Sequence, residues 1–335
     1  MTTSSPDAPA RPEVRRLGSS GLAVSAIGLG CNNLGRPRTA TESLDGSRAL
    51  VDAALDAGIT FFDVADVYGA QPGLSEELLG KALGSRRDDV VVATKFGMPM
   101  HGANGEDFRA RGSRRYVVKA VEASLRRLGT DWIDLYQFHT PDRRTPVEET
   151  LSALDDLVRA GKVRYVGHSN RAGWQIADAE YQARLTGTVR FVSAQNQYNL
   201  IDREAELEVL PAAKAYGLGV LPFFPLANGL LTGKYADGTG PDDGRLVHSK
   251  PHLLESAPWQ ALKALHTFAR ERGVTEVAVA FGWLLAQPQV SSVIAGATRP
   301  EQVRQNAAAG AWVPTAEDLA ALDTIFPPAR KVAPF

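Results

Sequence analysis

The sequence predicts an α/β fold, a (β/α)8 barrel, on three observations. Eight short apolar segments recur along 335 residues, beginning at 26, 61, 90, 133, 164, 191, 219 and 291. Most are followed by a stretch of helical periodicity that stops on Gly or Pro. The spacing suits the long crossovers that parallel strands need, with helices covering the sheet. A doubly wound sheet would instead carry a Gly-x-Gly-x-x-Gly turn after an early strand. GLGCNNLG at 28–35 lacks that spacing.

Residues 1–13, within a stretch rich in Pro, Ala, Ser and Thr, are expected to form a disordered tail, and 14–330 a single barrel domain. VRRLGSSGLAVS, 14–25, alternates around a Ser-Ser-Gly turn and reads as a hairpin ahead of the first barrel strand, AIGLG. The next segment, 43–58, places Leu44, Leu50, Val51 and Leu55 on one helical side and stops at Gly58. After strand FFDVA, SEELLGKALG at 75–84 predicts a helix opened by Ser75 ahead of two glutamates, which suit its positive end. Strands VVVATK and IDLYQFH follow, and 146–161 reads as a helix from Pro146 to Gly161. RYVGHSN, FVSAQNQ, GVLPFFP and SSVIAG complete the set of eight. The 72-residue interval before the last contains a long loop, 228–258, rich in Gly and Pro. A loop of that length is usually functional.

Composition narrows the partners. With 37 basic and 38 acidic side chains and a net charge of −1, the chain has no general attraction for nucleic acid or anionic lipid. No apolar run is long enough to span a membrane. Cys31 is the only cysteine, so an internal disulfide and a Cys-based metal site are both excluded. A cytoplasmic location is expected, with no metal.

In such a barrel, chemistry gathers at the C-terminal ends of the strands. Strand two ends in Asp63 and leads to Tyr68, strand three ends in Lys95 and strand four in His139. Singly, each has an ordinary structural reading: a helix cap, a solvated lysine, a satisfied histidine. Together a carboxylate, a phenol, an ammonium and an imidazole can move a proton to or from a carbonyl oxygen. Lys95 near Tyr68 is expected to lower the phenol's pKa. Asp63 would compensate the lysine's charge, and His139 could donate to a carbonyl oxygen as negative charge develops. No side chain supplies a hydride, so a nicotinamide cofactor is implied.

FFDVADVYG, VVVATKFG, SLRRLGTDWIDLYQFHTPD, VRYVGHSN, QNQYNL, FFPLANGLLTGKY and SVIAGATRPEQVRQN, in that order, resemble the aldo-keto reductase superfamily from about residue 14 to 326. The resemblance implies the same barrel, with Tyr68 as proton donor, Lys95 and Asp63 tuning it, and His139 positioning a small-molecule carbonyl substrate. It also implies a cofactor site. Ser169, Asn170 and Gln195 match positions that bind the nicotinamide carboxamide, and Phe223 falls where an aromatic stacks on the nicotinamide ring. Pro225, Leu226, Gly229, Leu231 and Lys234 look like the loop over the pyrophosphate. Gly296, Ala297, Thr298, Gln302, Gln305 and Asn306 occupy the adenosine end.

Some positions depart from the family's pattern. Gln302 stands where many members carry an Arg for the 2′-phosphate, and Gly296 and Ala297 replace a Lys-Ser pair. Arg299 lies nearby, at the mouth of a helix expected to start near Pro300, so NADPH (NADP+) is the expected cofactor. His168 has two readings, packing or contact with a ligand. Segments 31–40, 97–112 and 228–258 are expected to shape the substrate pocket, with 97–112 as a mobile polar lid. Asn33, Trp132 and the neighbourhood of Met98 are possible contributors. Simple aldehydes, ketones and keto-sugars all fit. The other class of function implied by the resemblance is a nicotinamide-binding regulatory or sensor subunit with little turnover.

Overall fold

The computed structural model describes residues 12–241, 246–247 and 250–330. The expected disordered tail lies outside the described residues except for its last two positions, as does part of the 228–258 loop.

Strands β1 (Val14–Arg16) and β2 (Ala23–Ser25) pair antiparallel around the expected turn, where Leu17 N–H donates to Leu22 O at 2.8 Å. Eight parallel strands follow: β3 (Ile27–Gly30), β4 (Phe61–Asp63), β5 (Val91–Phe96), β6 (Ile133–Phe138), β7 (Val163–Ser169), β8 (Ser193–Gln195), β9 (Gly219–Val220) and β10 (Val293–Gly296). Their order is β10-β3-β4-β5-β6-β7-β8-β9. Backbone bonds from Ser291 to Val220 O (3.0 Å) and from Ile294 to Pro222 O (3.3 Å) bring β10 back to β9 and close the ring. β9 is shorter than GVLPFFP suggests because Pro222 has no N–H to give the ladder.

Helices α1 (Leu44–Asp56), α2 (Leu74–Leu83), α3 (Arg114–Leu128), α4 (Val147–Arg159), α5 (Gly173–Thr186) and α6 (Val209–Tyr216) cross between strands. The long interval holds α7 (Pro251–Glu255), α8 (Trp259–Glu271) and α9 (Glu276–Leu285), and α10 (Pro300–Ala309) and α11 (Ala316–Ile325) are the last helices among the described residues. Ser43 caps α1 by accepting from Gly46 N–H at 3.1 Å, and Gly58 follows it in the left-handed region (φ 80°). The expected Ser75 cap is not formed. Gly73 (φ 90°) occupies the N-cap of α2, and the Ser75 hydroxyl instead donates to Cys31 O at 2.6 Å, tying the helix to the end of β3.

Alternation of side chains along each strand sorts the core into two shells. Phe61, Ala93, Leu135, Leu221 and Ile294 meet inside the ring, together with Leu17 and Val24 from the hairpin. Their neighbours Phe62, Val92, Tyr136 and Val220 face outward into the larger shell beneath the helices. Each fully buried side chain of this size contributes roughly 1.5–3 kcal/mol. The hairpin packs at the N-terminal ends of the strands, where Ser19 N–H donates to Gly217 O at 2.8 Å. With that end plugged, the C-terminal ends form the mouth. No helix among the described residues is long and apolar enough to cross a membrane.

Candidate active site

The inward series 61, 93 and 135 continues two residues further along each strand to Asp63, Lys95 and Gln137. The apolar interior therefore gives way to polar side chains. Lys95 and Gln137 are register partners across β5 and β6. Lys95 Nζ, fully buried, donates to Asp63 Oδ2 at 2.6 Å and to Val64 O at 3.0 Å. Asp63 Oδ1 accepts from Gln137 Nε2 at 3.1 Å and Gln195 Nε2 at 2.9 Å. The carboxylate thus has three side-chain donors, which offset the cost of burying it. Burial works against the Lys95 charge, but Asp63 and Tyr68 outweigh it and its pKa is raised.

Tyr68 lies in the turn after β4, partly exposed, with Lys95 Nζ 5.1 Å from its ring centroid. Its ring meets that of His139 edge to face at 5.9 Å. The structure corrects one expectation here. The Tyr68 pKa is raised, because burial outweighs the attraction of Lys95 and Asp63 adds to the upward shift. The phenol stays protonated at neutral pH, and the ammonium beside it is placed where it can stabilise a phenolate. Burial, with Lys95 adding to it, pushes His139 down to about 3, so its imidazole is neutral. Its Nδ1 is buried without a hydrogen-bond partner among the described residues.

The residues matched to a cofactor lie around the same mouth. Ser169 and Gln195 are register partners on β7 and β8. Asn170 takes the left-handed conformation (φ 57°), and its Nδ2 donates to Ser169 Oγ and His139 O, both at 3.0 Å. Because the amide nitrogens of Gln195 and Asn170 are committed, their carbonyl oxygens are the ends available to a ligand's amide. Phe223 is half-buried and meets Phe224 edge to face, which leaves a ring face for stacking. Pro225 and Gly229 are buried, Leu226 is partly buried, and Lys234 is exposed. The Leu231 side chain is fully buried in the core, so only its backbone can meet a ligand.

At the end of β10, Gly296 is exposed and Ala297 O accepts from Asn33 Nδ2 at 3.0 Å. Arg299 is the N-cap of α10 and Pro300 its first residue, as the sequence implies. Gln302 is turned back on the helix mouth: its Oε1 accepts from Thr298 N–H at 2.8 Å and Arg299 N–H at 3.2 Å. Asn306 Nδ2 reaches Gly296 O at 3.5 Å, while Gln305 is exposed. Arg36, which sequence reasoning missed, donates to Asn33 Oδ1 at 2.6 Å and brings a second guanidinium to this end.

Other expected contributors are elsewhere. His168 faces outward from β7, fully buried against Phe191 with ring centroids 5.1 Å apart. This is the packing reading. Trp132 lies between the guanidiniums of Arg87 (4.8 Å) and Arg164 (4.7 Å), at the start of β6 and away from the mouth. Cys31 is fully buried, and burial pushes its thiol far up. Among the described residues no group of three His, Cys, Asp or Glu could hold a metal ion.

A second polar cluster, also missed, lies on the outer face of the same strands. Glu76 on α2 accepts from Thr94 Oγ1 at 2.5 Å and Arg127 Nε at 2.6 Å. Arg127 NH1 donates to Asn104 Oδ1 at 3.0 Å, and Asn104 Nδ2 donates to Asp66 Oδ2 at 2.9 Å. Asn104 belongs to the 97–112 segment expected as a mobile lid, and its buried side chain pins that segment to the turn carrying Tyr68. Gln137 had a legible signal, its place in the inward series. Asn104 had none.

Residues 26–326 match the family model described as the aldo/keto reductase family. The chain is 40% identical over 321 residues to an uncharacterized oxidoreductase, YrpG, of Bacillus subtilis, covering 94% of this chain and 96% of the relative. It is 37% identical over 304 residues to a probable voltage-gated potassium channel subunit beta of Oryza sativa, covering 88% and 90%. It is 34% identical over 307 residues to an L-glyceraldehyde 3-phosphate reductase of Escherichia coli, covering 88% and 86%.

Proposed function

The chain belongs to the aldo/keto reductase family, and from that premise we propose that it is an NADPH-dependent oxidoreductase reducing the carbonyl of a small aldehyde or ketone to an alcohol. The observation that carries this reading is the buried Lys95–Asp63 pair set beside a partly exposed, protonated Tyr68 at the mouth of the barrel. Tyr68 gives its hydroxyl proton to the carbonyl oxygen, and Lys95, held by Asp63, stabilises the phenolate left behind. Neutral His139 orients the carbonyl through a hydrogen bond. A bound nicotinamide supplies the hydride to the carbonyl carbon. Ser169 and the carbonyl oxygens of Asn170 and Gln195 hold its carboxamide, and Phe223 stacks on its ring.

At the far end, Lys234 and the backbone of Pro225, Leu226, Gly229 and Leu231 serve the pyrophosphate, and Gly296, Thr298, Arg299, Gln302, Gln305 and Asn306 the adenosine. Gln302 organises the helix mouth and does not reach a 2′-phosphate itself, so the NADPH preference rests on Arg299. Arg299→Ala weakens NADPH by about 1.5–3 kcal/mol, the scale of a hydrogen bond to a charged group, and NADH little. Equal weakening of both cofactors would remove Arg299 from this role.

Similarity to a potassium channel subunit beta supports a second reading, cofactor binding with little turnover. Steady-state turnover of a panel of aldehydes with NADPH and with NADH separates the two. Turnover supports the reductase. Tight NADPH binding with none across the panel supports the sensor.

A further inference from the structure

Across the mouth from β10, where β5 and β6 end, lies a cavity of about 160 Å3. That is well below the roughly 300–1,000 Å3 that encloses a whole drug-sized ligand, and it suits the head group of a small one. Its lining includes Gly97, Thr140, Arg109, Arg111, Arg143 and Arg144. Gly97 is two residues beyond Lys95 and Thr140 one beyond His139, and Thr140 Oγ1 donates to Gly97 O at 3.2 Å. The cavity therefore adjoins the strand ends that carry the proton-transfer groups. It lies opposite the strand assigned to the adenosine.

Four guanidiniums and one carboxylate, Asp142, line it, with the Asp107 carboxylate beside them, in a chain whose net charge is −1. Arg111 Nε is paired with Asp107 Oδ2 at 2.6 Å. Asp142, the other carboxylate, is committed to local structure. It accepts from Gly112 N–H, Thr145 Oγ1 and Arg144 N–H, each at 2.8 Å, and from none of the guanidiniums. The side chains of Arg109, Arg143 and Arg144 make no hydrogen bond or ion pair among the described residues. Arg109 is held with φ 59°, and the Asp107 carboxylate accepts from its N–H at 2.8 Å, which fixes the backbone from which it projects. Arg109, Arg143 and Arg144 are exposed, and cations gathered on one small cavity raise the local positive potential and attract anions. The planar fork of Arg suits phosphate and carboxylate oxygens.

We propose that this cavity is an anion subsite, which takes the terminal phosphate or carboxylate of a small aldehyde while the aldehyde group lies against Tyr68 and His139. It rests on the reductase reading above and adds the substrate class. A phosphate is the better fit, because at neutral pH it carries close to two charges and three acceptor oxygens.

The test compares glyceraldehyde, glyceraldehyde 3-phosphate and 4-oxobutanoate as substrates with NADPH. The kcat/KM of the phosphorylated aldehyde should exceed that of glyceraldehyde by about 10-fold or more, the lower end for a hydrogen bond to a charged group. In Arg109→Ala/Arg143→Ala that ratio should collapse towards one. A matching gain for 4-oxobutanoate identifies carboxylate as an equal source of the charge. Turnover of glyceraldehyde with no preference for either charged substrate overturns the subsite and leaves the reductase reading standing. If no aldehyde is turned over, the reductase reading falls and binding of inorganic phosphate decides. Calorimetry on the wild type and the double variant should show binding about 10-fold weaker in the variant, and equal binding overturns the subsite.

Discussion

Two buried charge clusters lie back to back on the same strands, and their contrast separates groups at the barrel mouth from groups sealed beneath helices. Consecutive residues of β5 begin them: Lys95 points into the ring and Thr94 out of it. Inside, Asp63, Lys95, Gln137 and Gln195 form a bonded set bordered by a tyrosine that reaches the mouth. Outside, Glu76, Thr94, Arg127, Asn104 and Asp66 form a chain closed over by α2 and α3. Both have a cation on a buried carboxylate at 2.6 Å, Lys95 fully buried and Arg127 partly exposed. The difference is access: only the inner set adjoins ionisable groups that a ligand can touch.

If the outer cluster is structural, breaking it should cost stability and leave chemistry largely intact. Arg127→Met strands Glu76, which is fully buried. Removing one partner of a buried pair costs about 3–5 kcal/mol, read as a lower urea midpoint. The kcat of the folded variant should fall far less than in any Tyr68 variant. A variant as stable as the wild type would show that Glu76 is protonated or rehydrated. The inner cluster should break the other way. Tyr68→Phe should keep the fold and NADPH affinity while kcat falls at least about 100-fold, the lower end of a general acid's contribution. Because burial holds the phenol protonated and His139 neutral, kcat for reduction should be flat across neutral pH. A limb near pH 7 assigned to an enzyme group would contradict that electrostatic account.

The inner cluster was largely legible because strand alternation and barrel geometry put Asp63, Lys95 and His139 on one rim. The outer one was not. Glu76 and Arg127 read as ordinary charged residues of amphipathic helices, and they meet across 51 residues of sequence. Ser75 read as a cap because its bond to Cys31 O spans 44 residues. The direction of the Tyr68 shift was missed for a related reason. Opposite charge can be inferred from neighbouring motifs, but the burial that outweighs it depends on the whole packed ring. Gln137 was overlooked because a glutamine in a strand is usually taken as solvent-facing, although its inward register was available from Leu135.

The subtlest test concerns Asp66, the one member of the outer chain with an unmatched oxygen, Oδ1. Glu76 on α2 and Arg127 on α3 face it, Asn104 bonds it, and Tyr116 and Tyr136 complete its surroundings. One guanidinium cannot neutralise two carboxylates, and burial, followed by Glu76, raises the Asp66 pKa well above its ordinary value. That direction favours the protonated acid in the folded chain, whose hydroxyl can act as a donor. Above about pH 4 the unfolded chain releases this proton and the folded chain keeps it. Its contribution to stability is complete below the unfolded pKa and declines by up to about 1.4 kcal/mol per pH unit until the folded pKa is reached. Asp66→Asn keeps the acceptor for Asn104, offers an amide N–H where the acid has its hydroxyl, and cannot ionise. Wild type and variant should therefore differ little near pH 4, and the variant should gain relative stability as pH rises to 7. Urea unfolding at a series of pH values measures this. A variant that loses stability relative to wild type over that range would show that Asp66 is ionised in the folded protein, with Arg127 serving both acids.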